Sequence, residues 1–209
     1  FMRMKEDHMR NGQLKPAYNV QIAVENYFII HTHISNDRTD YNTLIPVLKK
    51  HKEAFGEILK EVTADSGYSS EQNLSYLEKE GIESYIKLQT HEKMKTRAYK
   101  NEIGRHYNME KVVEGDICYY ICKDGRKLIH ERTEIRKEKN FNKTLEVYTC
   151  SDCSNCKLKR QCLYKFDEEK DKNKNKTMKI NKTWEKLKAK SHENIQSEKG
   201  ILNRQIRSI

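Results

Sequence analysis

All six cysteines lie between positions 118 and 162, and four of them run as Cys150-x2-Cys153-x2-Cys156-x5-Cys162. Two thiolates three residues apart can reach one tetrahedral ion, so a four-cysteine site for Zn²⁺ is the leading expectation, with Cys118 and Cys122 upstream as further candidates. Four thiolates leave no open position for water, so such a zinc is structural and not catalytic. Consecutive C-x2-C steps also occur in iron–sulfur ligation, but here no proline follows the fourth cysteine and the surroundings are polar and Lys-rich. Disulfides require an oxidising compartment, and no export signal is visible.

Asp65 is the second residue whose setting suggests chemistry. It stands in Val62-Thr63-Ala64-Asp65-Ser66-Gly67-Tyr68, just past a short strand pattern. The carboxyl edge of an α/β sheet is where ligands bind, and a carboxylate there can hold Mg²⁺ or Mn²⁺ through oxygen. The same spacing also suits a turn aspartate that accepts from the next backbone amides. A third feature is the basic stretch 184–207. Trp184, Leu187 and Ile195 make one apolar stripe, and Lys186, Lys188, Lys190, Arg204 and Arg207 lie on or near the other side. An amphipathic helix packing on a sheet accounts for the stripe, and its basic side is free to meet phosphates. The eight histidines form no HExxH pair, and there is no P-loop, GxGxxG or GxSxG motif. Nucleotide-dependent enzymes and serine hydrolases are therefore unsupported.

These residues must be positioned by a chain of 209 residues with a net charge of +10 and only 35% hydrophobic residues. Leu, Ile, Val and Phe make up about a fifth of it, at the compositional edge of what packs a core. The positive excess points to a polyanion, nucleic acid first. No apolar run approaches the roughly 18 residues of a membrane span, so no membrane partner is expected. The chain reads as cytoplasmic and as an internal piece. It opens on Phe1 before Met2 and stops at Ile209 within a helical pattern.

Residues 18–24 alternate with Tyr18, Val20, Ile22 and Val24 on one face, and residues 27–34 form a second strand, joined by a turn at Glu25-Asn26. Asp40 is placed to cap a helix over 41–55 that Gly56 ends. A strand over 58–64 precedes Asp65, Ser70 caps a helix closed by Gly81, and a strand covers 82–88. The order β-β-α-β-α-β predicts a mixed sheet with flanking helices. Beyond residue 91 the pattern weakens. Two short strands fit 117–121 and 127–133 around a Lys123-Asp124-Gly125 turn, and 167–182 reads as a solvated loop.

The motifs together resemble a family. Lys15-Pro16-Ala17-Tyr18-Asn19-Val20-Gln21-Ile22-Ala23-Val24 resembles the K-x-G-Y-N-x-Q-x-A-V hairpin of bacterial insertion-sequence transposases with a DDE catalytic domain, with Ala17 in place of the glycine. Asn36-Asp37-Arg38-Thr39-Asp40 with Leu44-Ile45-Pro46-Val47-Leu48 continues the likeness. Ala64-Asp65-Ser66-Gly67-Tyr68-Ser69-Ser70 is similar to the family's A-D-x-G-Y-x-S, and Gly81-Ile82 to Ile86 to its G-I-x-x-Y-I. Cys122, Gly125 and Leu128, followed by Cys153-x2-Cys156-x-Leu158-x3-Cys162, resemble the cysteine-bearing insert of one branch.

That resemblance implies an α/β, RNase H-like mixed sheet with flanking helices, incomplete in this chain, plus a small cysteine-rich insert. The implied divisions are a partial catalytic core over 1–90, a basic cysteine-rich insert over 91–182, and a truncated C-terminal core helix over 183–209. In such enzymes three acids hold two Mg²⁺ or Mn²⁺ ions that activate water, and then a DNA 3′-hydroxyl, for attack on phosphodiesters. Asp65 corresponds to the second acid. The first is expected upstream of Phe1, and the third, a glutamate, shortly after the stretch Arg204-Gln205-Ile206-Arg207-Ser208-Ile209. The resemblance also selects Cys122, Cys153, Cys156 and Cys162 as the zinc ligands and leaves Cys118 and Cys150 as extras. DNA at transposon ends and target is the implied partner, with Lys186, Lys190, Arg204 and Arg207 as candidate phosphate contacts. The likeness admits a homodimer of the parent protein and needs no nucleotide. The expectation is a piece of a transposase, inactive alone. The competing expectation is a zinc-stapled nucleic-acid-binding module without catalysis.

Overall fold

The computed structural model describes residues 2, 3, 16–57, 59–138 and 141–206. The chain divides into two compact units, Phe1–Gln89 with Leu187–Ile209, and Thr90–Lys186.

In the first unit, β1 (Met2–Arg3) pairs with β2 (Pro16–Ala17), and β3 (Asn19–Glu25) forms an antiparallel hairpin with β4 (Phe28–Ser35). The turn falls one residue later than expected, on Asn26 and Tyr27, both with positive φ. Two positive-φ residues give the turn twist that matches a right-handed hairpin. The predicted alternation is present, with the apolar face outward. Val20, Ile22, Val24 and Ile34 are each more than half exposed, whereas Gln21 and His31 on the opposite face are buried. That polar face meets α1 (Leu44–Phe55), where His51 and Phe55 pack their rings 5.3 and 5.5 Å from His31. The helix begins after Thr43, not Asp40, which instead opens a short 3₁₀ turn over Asp40–Asn42. Gly56 closes α1 with a left-handed φ of 70°.

Next, β5 (Glu61–Ala64) runs parallel to β6 (Glu83–Ile86), linked through α2 (Glu71–Lys79). The Ser70 hydroxyl accepts from the Asn73 N–H at 3.1 Å, the cap its position predicts. The fold is mixed α/β. The expected single sheet is present among the described residues as two separate pairs, antiparallel β3–β4 and parallel β5–β6. Alternation reports which faces are buried and says nothing about which edges meet.

The second unit starts with α3 (His91–Lys95) and α4 (Arg97–Lys100). A five-stranded antiparallel sheet follows: β7 (Glu110–Glu114), β8 (Ile117–Ile121), β9 (Lys127–Lys137), β10 (Asn142–Cys150) and β11 (Thr177–Ile180), in the order β11-β10-β9-β8-β7. A short helix, α5 (Lys159–Cys162), lies between the last two. Met109, Tyr120, Leu128, Tyr148, Cys150, Cys153, Met178 and Ile180 form its core. The expected solvated loop over 167–182 is thus corrected at its end, where Met178 and Ile180 are buried in an edge strand.

The basic C-terminal stretch is two helices, α6 (Lys182–Gln196) and α7 (Glu198–Ile206), where one was expected. Ser197 makes the break. Its hydroxyl donates to Asn194 O at 2.7 Å and accepts from the Gly200 N–H at 3.1 Å, as an N-cap does. Gly200 permits the tight return, since a Cβ there would lie 2.1 Å from Asn194 O.

Candidate catalytic corner and thiol cavity

Asp65 directly follows β5, at the carboxyl end of the parallel pair, and is exposed. Its carboxylate accepts from the Ser66 N–H and caps the 3₁₀ turn Ser66–Tyr68. This is the turn role that its position predicts. The corner is braced from below by Asn73, fully buried, whose side-chain amide donates to Tyr68 O at 2.9 Å. Ser69 Oγ donates to Ser66 O at 2.8 Å and accepts from the Gln89 N–H at 3.3 Å. Among the described residues Asp65 has no ion-pair partner, so its charge faces water.

One residue of this corner, expected as a helix cap, has a different role. Asp40 accepts through Oδ1 from Asn19 Nδ2 at 2.9 Å and from Gln21 Nε2 at 3.0 Å. Its other oxygen lies against Gly67, where a Cβ would come within 2.7 Å of it. A motif of the form Thr-Asp before a helix reads as a cap, which hid this role.

The cysteines converge in the second unit. Cys122, Cys150, Cys153, Cys156 and Cys162 line one cavity together with Lys176. All six cysteines are free thiols. Tight turns present them. Gly125, with φ 73°, lets its N–H reach Cys122 O at 2.9 Å, while the Lys159 N–H reaches Cys156 O at 3.2 Å. The Lys176 N–H donates to Cys153 Sγ at 3.4 Å. Burial, with the neighbouring Cys153 thiol, pushes the Cys150 thiol up to about 11, and burial also raises Cys156 and Cys162. These thiols are protonated at neutral pH in the metal-free chain, and an ion would have to displace their protons. Cys118 packs beside the core and not in the cavity, whereas Cys150, read as an extra, lines it.

Neither metal finds a finished site. Among the described residues no group of three or more His, Cys, Asp or Glu side chains is arranged to hold an ion. The thiol set suits a soft ion by chemistry, but its sulfurs are not gathered around one point. At the corner, no such group includes Asp65.

The expected phosphate contacts diverge. Lys186 is exposed. Lys190 pairs with Glu78 at 3.1 Å. Arg204 turns inward and donates to Gly200 O at 3.1 Å and Ile195 O at 2.9 Å, closing the end of α6. Arg207 lies outside the described residues.

No helix among the described residues is long and apolar enough to cross a membrane. Residues 121–209 match the family model described as a transposase DDE domain. The match runs from the end of β8 through α7 and does not include Asp65. Neither a curated protein nor a solved structure matches the chain.

Proposed function

We propose, from the match of residues 121–209 to a transposase DDE-domain model, that this chain is part of an RNase H-like catalytic domain that cuts and joins DNA with Mg²⁺ or Mn²⁺, and that Asp65 is one of its metal-binding acids. The observation that carries this reading is the exposed Asp65 carboxylate at the carboxyl end of the parallel pair β5–β6. That edge is where α/β folds place their ligands, and hard divalent cations take oxygen donors. In DNA strand transfer a pair of such ions activates the attacking oxygen and stabilises the leaving one. This chain's part is to hold one negative oxygen donor at a fixed, water-facing corner. In this reading a pair of ions needs more oxygen donors than Asp65 alone brings, so the chain is expected to be inactive by itself.

DNA is the partner and the cytoplasm the compartment in this reading. The charge of +10 supports sequence-independent affinity for phosphates. Lys186 is an exposed candidate contact with no ion pair among the described residues, and Lys190 can exchange Glu78 for a phosphate. A structural Zn²⁺ in the thiol cavity would gather Cys153, Cys156 and Cys162 with Cys122, and the convergence of five thiols on one cavity supports it. The same convergence favours the second reading, a zinc-stapled nucleic-acid-binding module without catalysis, in which Asp65 has no task.

The test is DNA binding by fluorescence anisotropy, together with a plasmid-nicking assay in Mn²⁺. Binding that weakens steeply with salt and no nicking by the chain alone are expected. Failure to bind DNA at low salt would overturn the reading, and Asp65-dependent nicking would overturn the claim of inactivity.

A further inference from the structure

The side chain of Asp40 touches both the hairpin and the turn after Asp65. Asp40 sits between the two. Its Oδ1 collects the side-chain amides of Asn19 and Gln21, which project from the buried polar face of β3. Asn19 also donates to Asp37 O at 3.1 Å, so its orientation is set twice. The second Asp40 oxygen faces the turn that follows Asp65. At Gly67, an added Cβ would lie 2.7 Å from Oδ2 and 3.5 Å from Cγ. Gly67 does not have a positive φ, unlike Gly56, Gly81, Gly115 and Gly125, so backbone strain does not account for a glycine there. Close approach of the Asp40 carboxylate does. A glycine is used where a charged group must come up against the backbone.

We propose that Asp40 is a positioning residue for Asp65: its carboxylate, held by Asn19 and Gln21 and seated on Gly67, sets the turn that aims the Asp65 carboxylate. The inference rests on the reading of Asp65 as a metal-binding acid for its catalytic meaning, but the contact itself does not. The chemistry is plain. Oδ1 satisfies two amide donors and is thereby fixed, so the remaining oxygen is a rigid stop for residues 66–68. Without that stop the turn keeps its own hydrogen bonds and the bonds from Asn73 and Gln89 but loses its contact with Asp40. Asp65 then keeps its place in sequence but loses its defined direction, and a ligand must be held to a fraction of an ångström to serve a metal.

The test uses the 209-residue chain, labelled with ¹⁵N. The Ser66 amide accepts its character from the Asp65 carboxylate to which it donates, so its proton resonance and that resonance's titration report the direction of the acid. In Asp40→Ala the Ser66 signal is expected to shift towards its random-coil position, while the amides of β5 and β6 stay put. Asp40→Asn, which keeps an oxygen for Asn19 and Gln21, is expected to restore most of the shift. Gly67→Ala probes the same contact from the other side and displaces the Ser66 signal in the Asp40 chain. A Ser66 signal unmoved by both Asp40→Ala and Gly67→Ala would overturn the proposal. Titration with Mn²⁺ separates the two claims. Absence of broadening at residues 64–66 in the unaltered chain would contradict the metal reading of Asp65, whereas the Ser66 shifts alone judge the role of Asp40.

Discussion

The hydroxyl of Ser191, on α6, donates to the carbonyl oxygen of Ile86, on β6, at 2.6 Å, and neither residue is more than 1% exposed. Asn194, one turn on, donates to Ser84 O at 3.1 Å along the same strand. Two side chains of the helix thus satisfy backbone acceptors of the strand that flanks the Asp65 corner. Replacing Ser191 by Ala removes one buried bond and is expected to cost about 1 kcal/mol. Ser191→Leu, which forces a larger group into the contact, should cost about 1–3 kcal/mol. Urea unfolding monitored by circular dichroism measures both.

The hairpin responds to acid through His31. Burial, then the neighbouring His51 and Lys50, lower its basicity. The folded state therefore prefers the neutral ring. Above about pH 6.5 the ring is neutral in both states and contributes no pH dependence. As pH falls below that value the unfolded chain takes up the proton before the folded one does, and stability drops. Unfolding midpoints between pH 7.5 and 5 are expected to fall, and His31→Leu should flatten that part of the profile.

The two faces of the hairpin differ in what they tolerate. Ile22 and Val20 are more than half exposed, so Ile22→Thr or Val20→Thr should change stability by less than about 0.5 kcal/mol. Leu77, fully buried, should lose about 2–5 kcal/mol on change to Ala. A comparable loss at Ile22 would show that something covers this face in solution. Exposed apolar surface of this extent otherwise marks a contact face.

The thiol cavity gives a compositional test. Elemental analysis of the purified chain is expected to find colourless zinc, and chelation should lower the melting temperature. Cys153→Ser should abolish retention, whereas Cys118→Ser, outside the cavity, should leave it unchanged. Iron with visible absorbance would contradict the zinc reading.

Much of the first unit was legible in the chain. Ser70, Gly56 and Gly81 act at the helix ends where their chemistry places them, and Leu44 with Leu48 and Leu74 with Leu77 mark buried faces, while Phe55 at the end of its repeat is exposed. Local signals suffice for local structure. The hairpin's alternation was equally clear, but a pattern of period two does not say which face meets a helix, and here the polar one does. In the second unit the strand expected over 127–133 runs on to Lys137, because β9 carries Glu131, Arg132 and Arg136 on exposed positions and half-buried Glu134 paired with Lys179. Such a strand has the composition of a solvated loop. Of the candidate site, Asp65 and the cysteine spacing were visible. The contact between Asp40 and Gly67 was not, because it joins residues far apart in sequence that signal only a cap and a turn.

The central claim is that the Asp65 carboxylate is a ligand for a hard divalent cation. Paramagnetic broadening measures it directly: Mn²⁺ is titrated into the ¹⁵N-labelled chain and into its Asp65→Asn variant. Selective loss of the amide signals of residues 64–67 in the unaltered chain, and their survival in the variant, is the predicted result. Broadening that ignores this corner, or that persists undiminished in Asp65→Asn, would contradict the claim.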